Sequence, residues 1–345
     1  MIRACALSTF GMLLAGVLAG CGSDRPILHV YTWADYIKPE LIQRFEREHE
    51  CRVVLDFFDS NEVMFAKLKA GASGYDLIFP SSYMVHVMWE QGMIRPVEAA
   101  RIPNLRQIDR SYLRFTMDPE MHHSVPYMLS NSGIGYLKSR VVDFQPSWAM
   151  FDLPAYSGRM TLLNDMRETM GAALKWLSYS LNTTDPEEIA QARDVVIRWK
   201  KNIAKFESEQ YKNGLVSAEF LLVHGYNGDI LQVIEENDDI AYSIPVEGTS
   251  IASDDMVIPK DARNPDLAHA FMNFLHDPEV AAENTEFVAF LCPNMGSYER
   301  LDRQILEDPA VFLQPDLLEK CEVIKDLGED NSLYVAAWDA IKAAE

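Results

Sequence analysis

Short apolar strands alternate with amphipathic helices along this chain, and that alternation restricts the fold more than any other feature. Residues 26–31 (PILHVY) form an apolar strand. Pro39 suits a first helical turn, with Leu41, Ile42 and Phe45 on one face. Residues 52–57 (RVVLDF) form the next strand. Asp59 is placed to cap a following helix with Glu62 as its box partner, Met64, Phe65 and Leu68 as its buried stripe, and Gly71 at its end. Residues 76–80 (DLIFP) predict a third strand, followed by a helix through Trp89. Such spacing implies βαβ units and a parallel sheet.

A second set begins near residue 130. Strands are expected at 133–137, 159–163, 239–245 and 256–259. A helix opens at Asp165 and runs to about Leu181. Another starts at 184–186, with Thr184 as cap and Glu187 as box partner. The last forty-odd residues read as helical, with Val335, Trp338 and Ile341 on one face. With no Gly/Ser-rich linker, the reading is an α/β protein of two lobes joined by several crossovers. Open parallel sheets take ligands at the carboxyl ends of their strands, so residues just after each strand are candidates.

The amino terminus, MIRACALSTFGMLLAGVLAGCGSD, belongs to no lobe. Arg3 precedes an apolar run from Ala4 to Ala19, too short to span a bilayer comfortably, which reads as a signal peptide. Its end, Leu18-Ala19-Gly20-Cys21, resembles the bacterial lipoprotein processing box, which implies signal 1–20, lipidation at Cys21 and a tether over 21–25. The alternative is a plain secretory signal with a chance cysteine. The expected location is extracytoplasmic, periplasmic and membrane-anchored through acyl chains.

Charge and motifs narrow the function. Asp and Glu number 52 against 31 Lys and Arg, a net charge of -21. Loss of Arg3 with the signal leaves 30 basic residues and -22. Such a balance argues against nucleic acid as partner and permits a cationic one. After Cys5 and Cys21, the odd set Cys51, Cys292 and Cys321 reads as small buried thiols, with one disulfide as the alternative. Metal-ligand spacings are absent, as are the P-loop, G-x-S-x-G, G-x-G-x-x-G and H-E-x-x-H patterns. The expectation is a binding protein with no cofactor, no metal and no catalysis.

Several segments carry a more specific resemblance. The first strand ends in Tyr31-Thr32-Trp33-Ala34-Asp35-Tyr36-Ile37, and the second runs into 58–68 (FDSNEVMFAKL). The third leads to Pro80-Ser81-Ser82-Tyr83. Later come Asn164-Asp165-Met166-Arg167-Glu168, Thr183-Thr184-Asp185-Pro186-Glu187 and Tyr226-Asn227-Gly228. Together and in this order they resemble the periplasmic spermidine/putrescine-binding proteins of polyamine ABC importers, in lipoprotein form, over almost the whole mature chain.

The resemblance implies a type II periplasmic binding protein, each lobe a mainly parallel sheet flanked by helices, with hinge crossovers. It implies an N-terminal lobe of 26–128 plus 250–297 and a C-terminal lobe of 129–249 plus 298–345. Putrescine and/or spermidine is the implied ligand, and the permease of an ABC importer the implied partner. The implied ligand-binding residues are Trp33, Asp35, Tyr36, Ser81, Tyr83, Asp165, Glu168, Tyr226, Asp254 and Phe290.

These residue types suit a polyamine, whose ammonium groups alternate with methylene runs. Carboxylates meet the cations, and ring faces cover the methylenes while attracting the cations. Each assignment has a plainer rival. Aromatics usually pack in cores, Asp35 can cap a loop and Ser81 can cap the next helix. Asp165 and Glu168 at a helix start can serve the helix dipole alone, and Arg167 can pair with an acid outside the cleft. Asp254 fits the family position better than Asp255 when Ile258-Pro259 is the anchor. Tyr226 stands where the family usually has Trp, Ala252 where it has Trp, Phe290 where it has Tyr and Ile324 near a Gln. These departures bear on which polyamine is taken. Alternatives are another organic cation or a metal complex on the same fold, an extracytoplasmic enzyme, and a sensor lipoprotein.

Overall fold

The computed structural model of the protein describes residues 25–58, 60–234 and 236–344. The expected signal peptide, Cys21 and nearly all of the tether lie outside the described residues, as does Asp59.

Three strand–helix units open the fold. β1 (Ile27–Thr32) leads into α1 (Pro39–Glu48), β2 (Arg52–Phe57) into α2 (Asn61–Lys69), and the two-residue β3 (Leu77–Ile78) into α3 (Ser82–Glu90). Leu28 and Val30 bury one side of β1, and Leu41 and Phe45, four apart, bury one stripe of α1. Pro39 occupies the first turn of α1, where its missing N–H is not needed. Ser60, one residue after Asp59, caps α2 by accepting from the Val63 N–H at 3.2 Å.

β4 (Ser124–Leu137) then runs for 14 residues. After it come β5 (Met160–Leu162), α4 (Met166–Trp176), α5 (Pro186–Lys200), β6 (Ile203–Phe206), α6 (Tyr211–Val216), β7 (Leu222–Tyr226), α7 (Asn227–Ile234), β8 (Ile240–Ser243) and β9 (Ile251–Val257). α8 (Pro265–Leu275) and α9 (Pro278–Val288) follow. α4 stops five residues before the expected Leu181. α5 is capped by Asp185, not Thr184: Asp185 accepts from the Glu187 N–H. In both helices with a shifted cap, the residue beside the expected one is an equally good acceptor, so composition could not fix the boundary.

The sheet is mixed. β1 pairs in parallel with β2 and β3, and β5 in parallel with β6 and β7, as the alternation requires. Antiparallel ladders of β4 and β9 join these two parallel parts. Ser124 to Asn131 of β4 pair with β9, and from Ser132 onward β4 pairs with β7 and β8. β9 in turn pairs with β3. One long strand thus serves both halves of the fold and changes partners between Asn131 and Ser132.

Each half has its own apolar core. One gathers Leu28, Phe45, Phe79, Tyr127, Met256 and Phe271, and another Leu162, Leu174, Trp199, Val223 and Tyr334. A smaller cluster brings Phe115, Leu129, Ile251 and Leu291 against Val311 and Cys321. Cys51, Cys292 and Cys321 are buried free thiols.

The C-terminal segment departs from a continuous helix. Short turns occupy residues 295–318, and only Asn331–Ala343 forms a long helix. Its buried stripe is Tyr334, Ala337 and Ile341, with Trp338 half-buried, while Val335 faces solvent. Several apolar residues in this helix fit more than one stripe, and packing against α5 and α4 selects this one. Among the described residues no helix is long and apolar enough to cross a membrane.

Candidate functional site

Side chains alternate along β9, so Asp254 and Asp255 point to opposite faces. Asp254 faces the edge formed by the loops after β1 and β3. Its Oδ2 accepts from the Tyr36 hydroxyl at 2.7 Å and its Oδ1 from the Ser81 hydroxyl at 2.6 Å. Asn61 holds Ser81 in turn: its Nδ2 donates to Ser81 Oγ and its Oδ1 accepts from the Ser81 N–H, both at 3.0 Å. Ser81 precedes α3, but its side chain makes no capping bond. Its hydroxyl is committed to Asp254. Burial raises the Asp254 pKa, and the two donors oppose that rise.

Asp255 is fully enclosed and accepts from Ser82 at 2.9 Å, Ser124 at 3.0 Å and Ser253 at 2.6 Å. Burial pushes its pKa up to about 6 against these donors. It ties α3, β4 and β9 together inside the fold and has no outlet to the cleft.

Two rings lie beside Asp254. Tyr36 packs edge-on against Phe290, centroids 5.9 Å apart, and against Tyr127 at 5.3 Å. Phe290 presses on the start of α7. A Cβ on Gly228 would fall 2.4 Å from the Phe290 ring, so this approach requires glycine. Trp33 packs on Phe58 at 4.4 Å, and its buried Nε1 has no hydrogen-bond partner among the described residues. Asp35 is exposed in a left-handed turn with φ 52°, and its carboxylate takes no hydrogen bond among the described residues. The contacts around Asp254 therefore unite Tyr36, Ser81 and Phe290, while Trp33 and Asp35 stand outside them.

A second group forms at the start of α4. Asp165 caps that helix, with Oδ1 accepting from the N–H groups of Arg167 at 2.8 Å and Glu168 at 2.9 Å. Asp165 is exposed on one side, and protein crowds its carboxylate on the others. This burial raises its pKa; the two N–H groups oppose the rise, and the Glu62 carboxylate adds to it. Glu168 is almost enclosed, and its Oε2 accepts from Ser132 at 2.9 Å and Ser250 at 2.6 Å. Burial, reinforced by the charge of Asp165, pushes Glu168 up to about 7 against the two serines. Tyr226 is half-buried; burial, then the charges of Glu168 and Asp165, push its pKa up. Tyr83 donates to Glu62 at 3.0 Å, and Asp165 contributes to its raised pKa after burial and Glu62.

Among the described residues Arg167 forms no ion pair with an acid. It donates to the carbonyls of Lys325 at 2.9 Å and Leu181 at 3.1 Å and to Asn182 Oδ1 at 3.1 Å, with its guanidinium over the Tyr334 ring. Carbonyl oxygens from the chain beyond α4 reach it where no carboxylate does. Its charge still favours the ionised forms of Asp165 and Glu168 without a direct bond to either.

Sequence reasoning missed Asn61, Ser132 and Ser250, and met Glu62 only as a cap partner. No signal distinguishes these polar residues from surface ones until β4 and β9 bring them beside the acids. Ala252 shares the Asp254 face of β9 and is half-exposed. Among the described residues, no group of three or more His, Cys, Asp or Glu is placed to hold a metal ion.

Carboxylates from both halves, buried enough to favour a positive partner and walled by rings, suit a cation with an apolar body. Two α/β halves sharing their central strands around such a cleft define a two-lobed solute-binding protein. The chain belongs to the family of bacterial extracellular solute-binding proteins, whose model matches residues 40–312. It is 32% identical to the spermidine/putrescine-binding periplasmic protein of Salmonella typhimurium, over 96% of each chain. Among solved structures, the spermidine/putrescine transporter substrate-binding protein PotD of Streptococcus pneumoniae superposes with a TM-score of 0.86 at 30% identity, covering 92% of this chain and 98% of that one. The TpPotD lipoprotein of Treponema pallidum does so at 0.83 and 35% identity, covering 91% and 99%.

Proposed function

We propose that this solute-binding protein is a lipid-anchored extracytoplasmic receptor that captures putrescine and/or spermidine and delivers it to the permease of an ABC importer, without chemical turnover. The observation that supports the reading is that two groups of acids lie beside rings: Asp254, bonded by Tyr36 and Ser81, and Asp165 with Glu168, whose charges reach Tyr226. The names of the relatives support the ligand class. The Leu18-Ala19-Gly20-Cys21 box supports the anchor, as does the lipoprotein name of one relative.

In this reading the lobes are 26–128 with 250–297 and 129–249 with 298–345. Trp33, Asp35, Tyr36, Ser81, Tyr83, Asp254 and Phe290 grip from the first, and Asp165, Glu168 and Tyr226 from the second. Contacts to both lobes bias a hinge closure. Micromolar affinity needs about 8 kcal/mol. A ligand of some ten heavy atoms then needs about 0.8 kcal/mol per atom, below the ceiling for small ligands. Four acids, Asp35, Asp165, Glu168 and Asp254, match two or three ammonium groups that must shed water.

A second reading keeps the fold and takes another organic cation. Ala252 in place of a ring and Phe290 without a hydroxyl favour it. Calorimetric titration of the ligand-free protein with putrescine, spermidine, spermine and amino acids separates the two. Polyamine binding in the micromolar range is the expected result.

A further inference from the structure

The cleft acids are not held alike. Asp254 has both oxygens engaged, and Asp165 bonds its own helix. Glu168 gives a single oxygen, Oε2, to two hydroxyls from outside its helix, Ser132 and Ser250. Oε1 takes no hydrogen bond among the described residues. Ser132 Oγ also lies 2.9 Å from Thr249 Oγ1 and 3.0 Å from Ser250 Oγ. A hydroxyl has one proton to give. With Ser132 and Ser250 both donating to Oε2, the Thr249 hydroxyl is free to donate to Ser132. All three hydroxyl residues are buried.

The two serines mark the places where the chain passes between the halves. Ser132 is the first residue of β4 to pair with β7, directly after Asn131 makes the last pair with β9. Ser250 immediately precedes β9 and bridges Glu322, where the C-terminal segment passes the same point.

We infer that Ser132 and Ser250 are positioning residues for Glu168: they fix Oε2, leave Oε1 as the oxygen offered to a ligand ammonium, and tie the acid to both strands that join the halves. This rests on the reading of Glu168 as an ammonium-binding group. The charged and titratable groups facing Glu168 are Asp165 and Arg167 from its own segment, Tyr226 from β7 and Tyr242 from β8. Tyr242 is itself committed to Asn131 Oδ1 at 2.7 Å. Among the described residues none of these donates to the Glu168 carboxylate, which Ser132 and Ser250 alone reach. Without the serines, a nearly enclosed carboxylate keeps its proton to higher pH and meets a cation in its neutral form.

The test is calorimetric titration of the full chain with putrescine and spermidine between pH 6 and 9. The variants are Ser132→Ala with Ser250→Ala, each single alanine, Ser250→Thr and Glu168→Gln. The double alanine variant is expected to lose roughly fivefold in affinity at pH 7, to shift its pH midpoint up by about one unit, and to recover at pH 9. The single variants, each keeping one donor, shift less and serve if the double variant does not fold. Ser250→Thr keeps the hydroxyl and stays near wild type. A loss equal at every pH, or no loss, overturns the positioning role. If Glu168→Gln binds like wild type, the functional use of Glu168 itself fails. If it weakens binding while the serine variants keep the wild-type pH profile, only the positioning role fails.

Discussion

The Tyr36 hydroxyl reaches Asp254 Oδ2 at 2.7 Å and joins positions 218 apart in the chain. β1 and β3 run in parallel, so the loops carrying Tyr36 and Ser81 leave the sheet at the same edge. β9 runs antiparallel to β3, which returns Asp254 to that edge, bridged directly to Ser81. Topology thus converts three distant segments into one carboxylate with two donors and a ring wall.

Asp254→Asn is expected to cost polyamine binding about 2–5 kcal/mol while leaving the melting temperature nearly unchanged. Tyr36→Phe removes one donor and costs about 0.5–1.5 kcal/mol. Asp255→Asn gives the opposite profile, because it strips an enclosed acceptor from Ser82, Ser124 and Ser253. Its melting temperature falls, and the folded fraction still binds. Paired titration calorimetry and thermal melts on the three variants separate the roles.

Much of this arrangement is legible in the sequence because it depends on local signals. A strand followed by Trp33-Ala34-Asp35-Tyr36, or by Ser81, places polar groups at a sheet edge by period alone. The cap of α2 is Ser60, next to the Asp59 that the pattern suggests, since neighbouring residues of equal capping preference leave the boundary open. Residues 124–132, β6 and β7 escape detection. The first is buried with small polar residues, and the other two derive their strand state from neighbours. Ser132 and Ser250 are invisible for a related reason. A serine becomes a partner for Glu168 only when β4 and the return to β9 meet, which no local pattern encodes.

Affinity should rise with pH through neutrality. Burial holds ligand-free Glu168 at about 7, above the ordinary 4.5, and a bound ammonium favours the charged form. Binding at pH 6 is therefore expected to release close to one proton per ligand from this group, and at pH 8.5 almost none. Calorimetry in buffers of different ionisation enthalpy reads that proton directly. The stability sign is opposite in the ligand-free protein. The raised pKa contributes stability that is full below about 4.5 and lost as pH rises through about 7. Ligand offsets the loss.

Two buried histidines act in acid. Burial lowers His224 to about 3 and His276 to about 4, and neither ring nitrogen of either has a hydrogen-bond partner among the described residues. A lowered pKa contributes stability present above the ordinary 6.5 and lost as pH falls toward the folded value. At pH 5 each costs about 2 kcal/mol relative to pH 7. His276→Leu is expected to retain more stability at pH 5, relative to its own value at pH 7, than wild type. Denaturant titrations at the two pH values check this.

Gly228→Ala places a methyl group against the Phe290 ring that flanks Tyr36. Displacement of that ring should cost about 1–3 kcal/mol, shared between folding and ligand affinity. Phe290→Ala should relieve the clash, so the double variant is less impaired than the sum of its parts. A double-mutant cycle on melting and binding measures that coupling.

Titration calorimetry on wild type and on Asp165→Asn with Glu168→Gln, against putrescine and spermidine at neutral pH, is the most direct test of a cation-capturing cleft. Micromolar binding by wild type, collapsing in the double variant, is the predicted result. Failure of every polyamine to bind wild type below millimolar, or unchanged affinity in the double variant, would contradict it.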